Sequence, residues 1–323
     1  MKQLLPLDPA RHERHGIHAR DRDWTETNCY VDVWVELLHA WGFDPVAALP
    51  FTLAIDFDGD QWTFFKYPLA DLLDLDGLDV QELALWRPLA VHLEEHVGAG
   101  RPVLVEVDSY FLPDTAGTAY GLEHVKSTIG VNEIDVANRR LGYFHGQGYF
   151  HVCGDDFVNL LHLRGDTDPA VLPPYAEVVK RRRGPAVAGE ELTAASVRAL
   201  RRQLRLLPES NPFGRFKARL AADLAWVAAE SLDTFHKYSF ATLRQFGACY
   251  ELAATYLRWL TARGAGNLEG PAAAFAALSA GAKTFQFHLA RAVGRKKPLD
   301  LAPLDEMAAR WQAATDEMLA TFA

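Results

Sequence analysis

Cysteine and methionine are scarce in this chain of 323 residues, with three of each. Cys29, Cys153 and Cys249 are too few and too scattered for a disulfide scaffold or a CxxC zinc site. Long apolar runs are also missing: Arg, Asp or Glu interrupts each one before it reaches the roughly eighteen residues a membrane helix requires. Met1 to Arg22 is rich in His, Arg and Asp and holds no apolar core of signal-peptide length. Walker and dinucleotide glycine patterns, solenoid repeats and low-complexity tracts do not occur. These absences lead us to expect a reduced, soluble, cytoplasmic protein with no resident cofactor, no metal and no membrane partner.

Apolar and aromatic residues are plentiful. At 49% hydrophobic and 11% aromatic, the chain can offset its ordering entropy, so disorder is excluded as its main state. The net charge of −9 conceals a split. Residues 1–178 carry 12 Lys and Arg against 29 Asp and Glu, whereas residues 179–323 carry 21 against 13. Such asymmetry points to two units with different partners, or to two that attract each other.

The pattern changes at the same place. Tyr30, Val33, Trp34, Leu37, Leu38 and Trp41 recur at helical steps after Asn28, with Gly42 as a stop. Phe51–Phe57, Asp58-Gly59-Asp60-Gln61 and Trp62–Tyr67 predict a strand, a turn and a strand. A short helix over 88–96 and strands over 102–108, 124–132, 139–144 and 149–152 follow, then a helix over 155–163. From 164 to 189, Pro169, Pro173, Pro174 and Pro185 with Lys180–Arg183 read as an exposed connector. Beyond it, segments 192–207, 213–231, 235–263, 272–293 and 304–322 each fit a bundle helix. The expected architecture is an α+β domain with a central antiparallel sheet (1–165), a Pro/Arg-rich linker (166–189) and an all-α domain (190–323).

Cys29 stands at the first turn of a predicted helix, where unpaired N–H groups and the helix dipole favour a thiolate. His124 opens a predicted strand and is a candidate base for it. A helix-mouth Cys facing a strand His is the geometry of papain-like catalysis. The trio His12, His15 and His18 lacks partners in a fixed frame for a metal, and His145, His151 and Cys153 show no zinc spacing.

The run Gly100–Pro113, Tyr120, His124 and Tyr143-Phe144-His145 resembles the N-terminal domain of the butirosin biosynthesis protein H family, which has a papain-like cysteine fold. Asp23–Asp32, Phe51–Pro68 and Glu123–Tyr149 more closely resemble a bacterial domain-of-unknown-function family, over about residues 10–323. The first resemblance implies acyl transfer: an aminoacyl group would move from the phosphopantetheine thioester of a carrier protein to a small amine. It puts Cys29 at the nucleophile position, His124 at the base and His145 at the third slot, usually Asp or Asn. A neutral His cannot stabilise an imidazolium as a carboxylate does, so Asp108 or Asp135 would have to supply that charge. Asn28 would complete an oxyanion hole with the Cys29 N–H.

Carrier proteins are acidic, so a basic docking face is expected. Arg181 and Arg182, then Arg198, Arg201, Arg202 and Arg205 at helical spacing, are its candidates. The same charges suit nucleic acid, but no helix-turn-helix, zinc-finger or ribonucleoprotein signature accompanies them. A hydrolase of the same fold, or a non-catalytic module that binds a carrier, are the alternatives.

Overall fold

A computed structural model describes residues 1–164, 172–182 and 187–322. In chain order they form β1 (Lys2–Gln3), α1 (Cys29–Ala40), β2 (Phe57–Asp58), β3 (Gln61–Trp62), α2 (Leu69–Asp76), β4 (Leu78–Glu82) and α3 (Leu89–Gly98). Then come β5 (Val103–Asp108), β6 (Lys126–Asp135), β7 (Arg140–His145), β8 (Gly148–Cys153), α4 (Gly154–Leu160) and β9 (Ala176–Arg181). The remainder is helical: α5 (Gly189–Leu204), α6 (Pro212–Ala229), α7 (Leu232–Ser239), α8 (Gln245–Ala262), α9 (Glu269–Arg295) and α10 (Ala302–Phe322). The elements divide into two units. One takes Met1–Ala19, Asn28–Phe43 and Leu72–Ala186; the other takes Arg20–Thr27, Asp44–Asp71 and Val187–Ala323.

The first unit is α+β. Its described strands form an antiparallel sheet in the order β4-β9-β5-β6-β7-β8, with β1 added beside β6. Alternation along β5 sends Val103, Val105 and Val107 into a core shared with Ile129, Val131, Tyr143, Leu93 of α3 and Phe157 of α4. The opposite face carries α1. Gly130 of β6 leaves room for it, since a Cβ there would stand 2.9 Å from Val33 Cγ1. The side-chain oxygen of Asn28 accepts from the Val31 N–H (2.9 Å) to start α1, and Gly42 at φ +77 follows its end.

Residues 176–181, read as part of an exposed connector, form β9 between β4 and β5, with Ala176 to Val179 buried. The prolines and arginines around this stretch masked a short run, Ala-Glu-Val-Val, whose alternation is too brief to stand out. Arg183, also placed in that connector, lies outside the described residues. His124 was expected to open a strand and instead lies two residues before β6. Residues 69–82, where the sequence predicts no element, form α2 and β4.

The second unit is predominantly helical. The segment read as two long strands over 51–67 keeps its turn at Asp58–Gln61, but pairing is limited to β2 and β3, and Pro50–Leu53 is a 3-10 turn. The single helix expected over 235–263 is interrupted by a π-helical turn at Phe240–Arg244. Trp62 organises the core, with ring centroids 4.9 Å from Phe246 and 5.2 Å from Phe213. Trp24 donates its indole N–H to Ser279 (3.0 Å).

Candidate active site

The end of β5 and the start of β6 carry the most chemistry. Asp108 closes β5; one oxygen accepts the Tyr110 N–H (3.0 Å) and the other faces His124 Nδ1 at 2.5 Å. Tyr110 also stacks on the His124 ring, with centroids 4.4 Å apart and planes 8° from parallel. The imidazole is therefore held both in its plane and across it. With Nδ1–H donated to a carboxylate, Nε2 carries the lone pair, and the side chain is 69% exposed. Both residues line a cavity of about 690 Å³. Leu85, Leu89, Val107, Leu160 and Leu163 give it an apolar wall; Arg87 and the Lys126–Glu106 ion pair (2.6 Å) add charge.

Cys29 lies elsewhere. At the head of α1 it is partly exposed, and its Sγ meets Thr128 Oγ1 at 3.7 Å. Among the described residues no imidazole lies within hydrogen-bonding distance of that sulfur; His124 is engaged with Asp108 and Tyr110 instead. Thr128 is four residues beyond His124, which is about 13 Å along an extended chain. Asn28 spends its side-chain oxygen on the α1 cap.

His145 has a carboxylate of its own. Its Nδ1 faces Asp114 Oδ2 (2.5 Å) and its Nε2 faces Ser127 Oγ (2.7 Å), while Tyr143 donates its hydroxyl to Asp114 Oδ1 (2.5 Å). Burial, then the Asp114 charge, pushes the Tyr143 phenol far up, so it remains a donor. Ser127 and Asp114 were not singled out in the sequence. Asp114 lies in a 3-10 turn, Pro113–Thr115, and no spacing relates it to a histidine 31 positions later.

Residues 13–181 match the DUF1839 N-terminal domain, and residues 189–320 match the DUF1839 C-terminal domain. The chain belongs to the DUF1839 family. No curated protein matches it significantly. The His124–Asp108 pair, the cavity-lining residues up to Leu163 and the His145 network all fall within the DUF1839 N-terminal domain.

The remaining candidates distribute as follows in this DUF1839 chain. Arg181 sits over the rings of Trp41 (5.6 Å) and Phe43 (5.3 Å), and Arg182 pairs with Asp79. Arg202 pairs with Asp71 (2.7 Å), and Arg201 donates to the Phe322 carbonyl (3.2 Å). Arg198 and Arg205 are exposed, with no ion pair among the described residues. Asp135 binds Asn138 (2.8 Å) at the far end of β6, away from His124. His12 and His18 converge on Glu36, at 2.7 and 2.5 Å, and the His15 N–H also donates to it (3.0 Å). Burial, then the charge of Arg140, lowers the pKa of His151 on β8. Among the described residues no group of three or more ligating side chains is arranged to hold a metal, and no helix is long and apolar enough to cross a membrane.

Proposed function

We propose that the first unit catalyses acyl transfer from a thioester to an amine, with His124 as general base, Asp108 as its orienting carboxylate and the adjoining cavity as the acyl-chain pocket. The observation that carries this reading is the 2.5 Å contact between His124 Nδ1 and Asp108 on the wall of a 690 Å³ apolar cavity. His124 Nε2 takes the acceptor's proton as its nitrogen bonds to the thioester carbonyl carbon. The C–S bond breaks, and the proton leaves with the thiol. Asp108 stabilises the imidazolium in between, the role a carboxylate plays in acyl-transfer triads. Arg87 and Lys126 at the cavity are paired with Glu95 (3.1 Å) and Glu106 (2.6 Å), and the anionic groups of a donor such as a phosphopantetheine arm would compete for these exposed pairs. A Cys-headed helix lying on an antiparallel sheet supports a papain-like lineage, with the chemistry displaced from Cys29.

The test is turnover of an acyl-pantetheine thioester with a small amine, followed by mass spectrometry. His124→Ala should slow amide formation by about 10²–10⁴-fold, the usual worth of a general base. Cys29→Ala should stay within about threefold of the parent. An inactive Cys29→Ala beside an active His124→Ala overturns the reading. Free acid in place of amide makes water the acceptor and the protein a hydrolase.

A further inference from the structure

We infer that Ser127, beside this cavity, is the nucleophile that carries the acyl group, activated by His145 and Asp114. This inference rests on the acyl-transfer reading and replaces the amine's direct attack on the thioester with two steps through an ester on Ser127.

With a neutral His145 imidazole, the donor and acceptor roles in the network follow from the carboxylate. Tyr143 can only donate to a carboxylate, and it occupies Asp114 Oδ1 at 2.5 Å. Asp114 Oδ2 then accepts Nδ1–H of His145 at 2.5 Å. That fixes the tautomer with its lone pair on Nε2, which accepts the Ser127 hydroxyl at 2.7 Å. A serine, a histidine and an aspartate in this order, each within hydrogen-bond reach of the next, are what an activated hydroxyl needs, irrespective of fold. Hydrogen bonding satisfies a buried hydroxyl with any acceptor; it does not need a base whose far nitrogen is clamped by a carboxylate that is itself clamped.

The strands place Ser127 next to residues that line the cavity. Val107, directly opposite Ser127 in the β5–β6 register, lines it, and so does Val125, two residues earlier on the same chain. By alternation Val125, Ser127 and Ile129 project to one face, and Ile129 is core. Ser127 is not itself a lining residue; it stands about 5 Å across from Val107 and about 7 Å along from Val125, which are. Ser127 is 8% exposed, whereas the His124 side chain is 69% exposed. Thr128 and Cys29 are on the opposite face of the sheet, which separates the two candidate nucleophiles.

In the first half-reaction the Ser127 proton passes to His145 Nε2 as Oγ bonds to the thioester carbonyl carbon. The C–S bond breaks and the thiolate takes that proton, leaving an ester on Ser127. In the second, His124 strips the surplus proton from the incoming ammonium. The amine attacks the ester carbon, and its N–H proton travels through His145 to the departing Oγ.

Full-length protein is mixed with acyl-pantetheine thioester without acceptor, quenched and peptide-mapped; a parallel sample receives an alkyl fluorophosphonate. We expect an acyl adduct and a phosphonate on Ser127, both absent in Ser127→Ala. His145→Ala and Asp114→Asn should slow labelling at least 100-fold, whereas His124→Ala should leave phosphonate labelling intact. Ser127→Cys retains the shape of the site, so alkylation of the new thiol, accelerated by His145, guards against a folding artefact. Amide formation that persists in Ser127→Ala, with no adduct in the parent, overturns the inference while acyl transfer stands. Phosphonate labelling of Ser127 without any thioester turnover does the reverse: the serine nucleophile stands and the acyl-transfer reading falls.

Discussion

His18 is completely buried, and each of its ring nitrogens meets a carboxylate: Nδ1 lies 2.5 Å from Glu36 and Nε2 lies 3.2 Å from Asp32. Burial alone would lower its pKa; the hydrogen bonds to Asp32 and Glu36 outweigh this and raise it from 6.5 to about 9. Glu36 is the counterpart. Burial would raise it, but His12 and His18 bring it from 4.5 down to about 2. The His18 contribution to stability is therefore complete below pH 6.5 and is lost as pH rises through about 9. The Glu36 contribution is complete above pH 4.5 and is lost as pH falls through about 2. Thermal melts should show a loss of about 1–3 kcal/mol between pH 6.5 and 9.5 that His18→Gln abolishes; an unchanged pH profile in that variant would count against an imidazolium there. At the candidate active site, Asp108→Asn should lower the proposed acyl transfer about 10²–10⁴-fold with the fold intact, because an amide can face Nδ1 but cannot stabilise the imidazolium. Near-parental rates in that variant would remove Asp108 from the mechanism. Asp108 was readable in the sequence as an alternative source of charge for His124. Asp114 was not, because only the turn over 113–115 carries it to His145.

Helix α1 shows how well a single element can be read. Its apolar spacing, its Asn28 cap and its Gly42 stop are all local signals, and its bounds follow them. Removing the cap with Asn28→Ala should cost about 0.5–2 kcal/mol in chemical denaturation; no change would mean another group satisfies the Val31 N–H. Strand β6 tests the packing of α1. Gly130→Ala would bring a Cβ to 2.9 Å from Val33 Cγ1, so about 1–3 kcal/mol of destabilisation is expected, with Val33→Ala in the same chain restoring part of it. Equal melting of Gly130→Ala and parent would show that α1 has slack against the sheet. Strand β9 is the contrary case. Its bonds are to β4 and β5, about 100 and 75 residues earlier, and no property of residues 176–181 announces partners that remote.

For the molecule as a whole, the two family domains and the two units do not coincide. Residues 20–27 and 44–71 precede the DUF1839 C-terminal domain in sequence, yet they belong to the helical unit. They bring Trp24 to Ser279 and Trp62 to Phe213, Phe216 and Phe246. A fragment of residues 189–320 would lose these rings from its core, where each buried aromatic is worth about 3–5 kcal/mol on truncation to Ala. Expressed alone it should show no cooperative melt and weak near-UV dichroism. A sharp transition at the parental temperature would show that the inserted segments are dispensable.

Composition, periodicity and capping by themselves determined the helical half, most of the sheet and the change of character near residue 180, because each depends on neighbours within one or two turns or pleats. They also singled out Cys29 and His124; Asp108 and His145 followed from the resemblance to the butirosin protein H family. Which of these meet was decided only by tertiary structure. The Cys29 sulfur meets Thr128, while a strand pairing and a 3-10 turn bring Asp108 to His124 and Asp114 to His145. Proton transfer needs contact within about 3 Å, and distances on that scale between remote residues are set by strand register and loop path, which no local pattern encodes.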